Sequence, residues 1–283
     1  MNNKVIIEFW GVRGSLPSPG PNTAKYGGNT SCVSITYNDK VLILDAGTGI
    51  RDLGSELIKS PEKDIFILLS HSHWDHIQGF PFFKPIYQPE RSVYMFPTLL
   101  KKNIVLSSLV EQMDGAHFPV TPDQVPSNFD FITHNPLEFL AEHGFNIKPV
   151  YLNHPGGAMG FKILIEDKLI CYFTDNEIEP PYPKTIEYDK LVEECKSADI
   201  LIHDAQYTEE DMPIKHGWGH SIIRQVTKLG HDAEVKNVIY FHHEPERTDN
   251  EIDEIANIEQ NWLKENKSST RPTFAYEGLK IIL

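Results

Sequence analysis

Four side chains that bind metals crowd into His71-Ser72-His73-Trp74-Asp75-His76: three imidazoles and one carboxylate. The apolar run Ile65-Phe66-Ile67-Leu68-Leu69 precedes them, and a helix-compatible stretch ending at Gly79 follows. Alternate residues of an extended chain point the same way. His71 and His73 can therefore grip one metal ion. Asp75 and His76 begin the next turn and face the space beside it, where a second ion can sit. Imidazole nitrogen with carboxylate oxygen is a donor set that zinc accepts, and manganese or iron less tightly. A plain polar loop rarely needs four such groups so close together, so the cluster reads as a metal site.

The same pattern recurs along the chain. Apolar runs end at Leu44, Leu69, Leu152, Phe173 and Phe241, and each is followed within a residue or two by Asp45, His71, His154, Asp175 or His242. Strand ends on one rim of a scaffold converge, and chemistry gathers on the loops they hold. An acid at the end of a buried strand is costly unless paired. The expected partner of Asp45 is a ligand histidine, whose tautomer needs an oxygen acceptor. The glycine-rich loop Gly27-Gly28-Asn29-Thr30-Ser31 is either a hairpin connection or a phosphate cradle with Asn29 as its substrate contact.

The elements that must position these residues alternate between strand and helix. Strands are expected at Val5–Trp10, Cys32–Tyr37, Val41–Leu44, Ile65–Leu69, Ser92–Phe96, Asn146–Leu152, Gly160–Glu166, Lys168–Phe173, Ile200–Ile202 and Val238–Phe241, with one more at the C-terminus. Helices are expected at Leu53–Ile58, Leu99–Met113, Leu191–Ser197 and Glu251–Lys264, and from His216-Gly217-Trp218-Gly219-His220-Ser221 to about Leu229. A single domain over residues 1–283 suits the length. The proline- and aromatic-rich stretch 81–136 reads as an elaboration over the mouth of the site, forming a substrate wall or a homodimer contact. Its His117 and His134 read as surface or structural residues.

Composition narrows the function. The chain has 283 residues, 40% hydrophobic and 23% charged, with a formal net charge of -14. Such an acidic protein repels nucleic-acid backbones unless it carries a basic patch, and no Lys/Arg run exceeds Lys101-Lys102. Small substrates are favoured over long polynucleotides. Three cysteines without a CxxC pair point to a reducing compartment, the cytoplasm. No stretch is long enough to span a bilayer, so no membrane role is expected.

The HxHxDH form of residues 71–76, with the order of the other motifs, resembles the metallo-β-lactamase superfamily of metallohydrolases. The resemblance runs over nearly the whole chain. It implies a mixed α/β fold, a four-layer αββα sandwich, and two divalent metal ions, with zinc favoured over manganese or iron. It implies that His71, His73 and His154 bind one ion, that Asp75, His76 and His242 bind the other, and that Asp175 bridges them. His242 and His243 are adjacent, and a strand sends them to opposite faces. The HxxP pattern of related phosphodiesterases favours His242 in His242-His243-Glu244-Pro245.

Cysteine stands where Asp175 does in β-lactamases of this fold, which disfavours a lactamase. Glyoxalase II-type thioesterases carry a larger helical C-terminal region than the roughly forty residues after His243. The closer similarity is to ribonuclease Z-like phosphodiesterases. Their histidine-acid-alanine-threonine motif and later glycine-histidine-serine look like His203-Asp204-Ala205-Gln206 and Gly219-His220-Ser221. Asp204 replaces glutamate and Gln206 replaces threonine. The resemblance implies that His220 contacts phosphate and protonates the leaving oxygen, that Asp204 orients it, and that Asp75 orients the attacking water. His203 reads as structural. A basic glycine- and proline-rich arm for tRNA is missing, which points to a small phosphodiester, a cyclic nucleotide above others. The rivals are a ribonuclease Z-like nuclease, an acyl or lactone hydrolase of the same fold, and a metal-bearing nucleotide- or redox-sensing module.

Overall fold

Runs of β-branched and aromatic residues form the strands of two separate sheets. The computed structural model describes residues 4–60, 64–96, 108–109, 111–212 and 214–283. It divides into two units, Met1–Pro17 with Asn29–Gly144 and Tyr276–Leu283, and Ser18–Gly28 with Phe145–Ala275.

In the first unit, β1 (Val5–Gly11), β2 (Cys32–Tyr37), β3 (Lys40–Leu44), β4 (Asp64–Leu68), β5 (Ser92–Phe96), β6 (Asn128–Phe131) and β13 (Lys280–Ile282) form one sheet. Its order is β13-β1-β2-β3-β4-β5-β6. Neighbours from β13 to β3 run antiparallel, and those from β3 to β6 run parallel. The residue alternation of a strand puts Val41 and Ile43, Ile65 and Ile67, and Val93 and Met95 on one face. That face buries Ile50, Leu53 and Leu57 of α1 (Ile50–Leu57), which recur at helical spacing. α2 (Trp74–Ile77) and α3 (Pro136–Glu142) are further α-helices of this unit.

In the second unit, β7 (Asn146–Leu152), β8 (Ala158–Ile165), β9 (Lys168–Phe173), β10 (Ile200–Asp204), β11 (Asn237–Phe241) and β12 (Arg271–Phe274) are ordered β12-β11-β10-β9-β8-β7. β9 to β12 are parallel, and β7, β8 and β9 are antiparallel neighbours. Every residue of β10 is buried, as a central parallel strand covered on both faces requires. Leu201, Val238 and Tyr240 pack with Leu191 and Cys195 of α4 (Tyr188–Cys195), Val226 and Leu229 of α5 (Ile223–Asp232) and Ile252 of α6 (Asp249–Glu265).

Several elements differ from the sequence reading, among them the unexpected α3. Residues 216–221 are a loop rather than a helix start, because Gly217 and Gly219 take φ of +91° and +94°, and α5 begins at Ile223. The stretch 81–136 holds a second strand, β6, whose half-exposed Asn-Phe-Asp-Phe carries little apolar signal. The C-terminal strand is two, β12 and β13, separated by a turn at Leu279 whose amide bonds the Tyr276 carbonyl. The helix expected over 99–113 falls largely outside the described residues. None of the described helices is long and apolar enough to cross a membrane.

The turn after α2 is held by tight backbone contacts. The Ala46 amide donates to the His76 carbonyl at 2.7 Å and the Gly79 amide to the Ala46 carbonyl at 3.0 Å. A Cβ on Gly79 would lie 2.1 Å from the Gly47 carbonyl oxygen. Gly79→Ala is therefore expected to lower stability by about 1–3 kcal/mol, read as a drop in urea midpoint. An unchanged midpoint would show that the turn shifts freely.

Candidate functional site

The first unit gathers its ligand-type residues between the end of β4 and α2. Asp45 closes β3 in a left-handed conformation, φ +62°. Its carboxylate accepts from the Ser70 amide at 2.7 Å, from Ser70 Oγ at 2.8 Å and from His76 Nδ1 at 2.9 Å. Because Ser70 Oγ gives its proton to Asp45, it can accept from His71 Nδ1, 3.1 Å away. Asp45 thus fixes two imidazoles, one directly and one through a hydroxyl, with Nε2 as the lone-pair nitrogen on each. His76 Nε2 lies 3.3 Å from Asp75 Oδ2, and that oxygen accepts from the Ser15 amide at 2.7 Å. The His71 ring stands 4.5 Å from His73 and 4.3 Å from His76, centroid to centroid. His73 is exposed, and His71, Asp75 and His76 are buried. The Asn29 amide and Nδ2 donate to the Glu277 carboxylate at 2.6 and 3.2 Å. His117 is an exposed residue bonded to Asp114 at 2.8 Å.

The second unit builds its cluster at the C-terminal ends of three adjacent parallel strands, β9, β10 and β11. In open parallel sheets this edge is where ligands are met. Asp175 and His242, just past β9 and β11, both take left-handed backbone, φ +50° and +63°. Asp and His tolerate that region better than β-branched residues do. Asp175, Asp204, His220 and His242 each present a ligand atom, all within 4.8 Å of one another. His242 Nε2 lies 3.3 Å and His154 Nε2 3.8 Å from the Asp175 carboxylate. Each of these histidines has an oxygen acceptor on Nδ1. His154 donates to the Gly219 carbonyl at 3.0 Å, His242 to Gln206 Oε1 at 2.9 Å, and His220 to Asp204 Oδ2 at 2.7 Å.

Asp204 also accepts from the amides of Asn176 and Gln206, at 3.2 and 3.1 Å. Burial pushes its pKa up; His242 pulls it down, and Asp175 adds to the rise. His203 is buried against the Asp204 carbonyl at 2.7 Å and Asn176 Nδ2 at 3.2 Å, and burial pushes its pKa down to about 4. His243 points away from the cluster. It donates from Nε2 to the Ala275 carbonyl at 2.8 Å and stacks on Phe274, with ring centroids 6.0 Å apart.

Two carboxylates and the lone pairs of oriented imidazoles, buried together, are costly without a positive charge among them. Divalent cations bound by nitrogen and oxygen donors fit this chemistry in each unit. The β-lactamase superfamily domain matches residues 40–243. The chain belongs to the metallo-β-lactamase superfamily. Ribonuclease Z of Streptococcus gordonii is 24% identical over 286 aligned positions, which cover 83% of this chain and 88% of that enzyme. A shorter match to ribonuclease Z of Thermoplasma acidophilum is 31% identical over 64 residues, 23% of this chain and 21% of that enzyme. Among solved structures, the metallo-β-lactamase fold protein YhfI from Bacillus subtilis aligns with TM-score 0.65 at 14% identity, over 99% of this chain and 100% of that one. A diphosphatase from the PhnP family aligns with TM-score 0.66 at 18% identity, over 98% of this chain and 97% of that one. This metallo-β-lactamase fold chain is a metal-dependent hydrolase, similar over most of its length to ribonuclease Z.

Several residues of the site escape sequence reasoning. Ser70 is a one-residue spacer between strand and histidine, legible only from its place beside His71. Gln206, set aside as a departure from threonine, supplies the acceptor for His242 and donates to Glu244 at 2.7 Å. Asn153 and Asn176 tie the loops after β7 and β9, and nothing in their spacing signals it.

The two adjacent histidines separate cleanly in experiment. His242→Ala is expected to lose bound metal by elemental analysis of dialysed protein. His243→Ala should keep its metal and lower thermal stability through lost packing on Phe274. Metal loss in the His243 variant alone would reverse the assignment.

Proposed function

We propose that this hydrolase is a phosphodiesterase that cleaves a small phosphodiester, a cyclic nucleotide above others. On this reading His71, His73 and His154 would hold one divalent ion and Asp75, His76 and His242 the other, with Asp175 as a ligand shared by both. The assignment follows the motif order of the family, and zinc is the favoured metal. Bound there, divalent ions would lower the pKa of water toward neutrality and offset charge on the phosphoryl oxygens.

The observation that carries the reaction type is the His220–Asp204 pair. His220 donates from Nδ1 to Asp204 at 2.7 Å, which leaves Nε2 to carry a proton outward. Its ring stacks on that of His242, centroids 4.9 Å apart, so the proton is held beside a proposed metal ligand. Asp204 is anchored by two backbone amides and stabilises the imidazolium without needing to take the proton itself. His220 thus acts as general acid toward the leaving oxygen. Thioester hydrolysis, whose thiolate leaves without a proton, has less need of such an acid.

The net charge of -14 favours a compact substrate over a polynucleotide. Relatives named ribonuclease Z keep RNA cleavage as the second reading. Three free, buried cysteines suit a reducing compartment, and we place the protein in the cytoplasm.

Protein loaded with zinc, manganese or iron is to be assayed against cyclic mononucleotides, cyclic dinucleotides, short RNAs, lactones and thioesters. Turnover confined to lactones or thioesters would overturn the proposal, and preference for RNA would move it to the second reading. His73→Ala or Asp175→Ala is expected to abolish cleavage of a chromogenic phosphodiester. His220→Ala should slow it by about 100-fold or more, and an unchanged rate would remove His220 from the mechanism.

A further inference from the structure

Glu177 lies two residues beyond Asp175, is 2% exposed, and has no part in the reaction as drawn above. Its carboxylate faces the loop that carries His220. Oε1 accepts from the Gly217 amide at 2.8 Å and Oε2 from the Gly219 amide at 2.9 Å. Both glycines have positive φ, +91° and +94°, a backbone that turns alternate amides toward one anion. The anion in this cradle is the protein's own side chain. His216 adds a second anchor, with Nε2 donating to the Glu179 carbonyl at 3.0 Å.

What the loop delivers is specific. The Gly219 carbonyl accepts from His154 Nδ1, and a Cβ at Gly219 would lie 2.2 Å from that nitrogen. Only glycine permits the approach. The next residue is His220, bonded to Asp204. Ser221 then donates from Oγ to the Asn176 carbonyl and accepts from the Ile178 amide at 3.3 Å. The segment 176–178 therefore grips the loop on both sides of His220. A buried carboxylate is costly, and two charge-assisted bonds to backbone amides offset that cost only while the loop keeps this shape.

We propose that Glu177 is a positioning residue, which through the 217–219 loop sets both the tautomer of His154 and the place of His220. The inference rests on the roles given above to those two histidines. Removing the carboxylate frees the Gly219 carbonyl from His154 and lets His220 drift from Asp204.

The test uses the full chain with Glu177→Gln, and Gly217→Ala as a second variant that leaves the buried carboxylate intact but strains the loop. Folding is checked by circular dichroism and melting. With ¹⁵N-histidine labelling, the wild type should show downfield Nδ1 protons for His154 and His220, assigned with His154→Ala and His220→Ala. Both signals should broaden or vanish in Glu177→Gln. Zinc affinity, read by competition with a chelating dye, should fall by about 10-fold or more. Hydrolysis of an alkyl-leaving-group phosphodiester should fall at least about 10-fold further than that of a nitrophenyl one, as loss of a general acid requires. Gly217→Ala should move the same readouts by less. Unchanged signals and zinc affinity in a folded Glu177→Gln would overturn the proposal, as would equal losses on both substrates with both signals kept. If instead His220→Ala itself shows no leaving-group dependence, the general-acid reading of His220 fails. The Nδ1 signals and zinc affinity still decide the role of Glu177.

Discussion

A neutral imidazole has one lone pair, and whichever nitrogen is bonded as a donor cannot offer it. Five histidines here have an oxygen acceptor placed at Nδ1. Those oxygens come from Asp45, Ser70, Gly219, Asp204 and Gln206. The acceptors differ in kind: two carboxylates, a hydroxyl, a backbone carbonyl and a side-chain amide. What they share is the result, an imidazole turned so that Nε2 faces the cluster of its own unit. Without these bonds each ring could flip or change tautomer, and the four proposed metal ligands, His71, His76, His154 and His242, would present protons in place of lone pairs. At His220 the same bond leaves Nε2 to carry the proposed acid's proton.

The backbone makes room for this at some cost. Asp45, Asp175 and His242 each leave a parallel strand through left-handed φ. Non-glycine residues there carry strain of about 1–3 kcal/mol each. The turn breaks the strand's alternation at the point where a side chain must swing from the sheet face to its edge. Parallel strands end together at one edge, so in the second unit the turns at Asp175 and His242, on either side of β10, aim their side chains at a common volume. The adjacent His243 illustrates the alternative. One residue later, its ring packs on Phe274 and Tyr26 in the interior of the second unit.

This division explains what the sequence could and could not disclose. Strand ends followed by Asp45, His71, His154, Asp175 and His242 were readable because apolar runs and ligand-type residues are both local signals. The strands β1 to β5 and β7 to β11 lie where patterning puts them, to within a few residues. Positive φ at Gly217 and Gly219 was not readable, since glycine at a helix entrance and glycine in a left-handed turn look alike in one dimension. Glu177 and Gln206 were missed for a related reason. Each is chemically ordinary in its own neighbourhood, and its partner lies some 36 to 42 positions away along the chain. β6 is short and half-exposed, with no apolar run to announce it.

Charge connects the site to its substrate. The chain carries 40 acidic and 26 basic residues, and the second unit's cluster adds Asp175 and Asp204 at its centre. A phosphodiester approaching such a protein meets net repulsion, so the attraction that holds it must be local. Ions held by these carboxylates and imidazoles would supply that attraction over a short range, because salt screens charge beyond about 8–10 Å. One phosphodiester fits inside that radius. Successive phosphates of a long polynucleotide extend beyond it, into the field of the acidic surface, unless a basic segment meets them there. The donor chemistry and the acidic balance of the chain thus both suit the compact substrate proposed above.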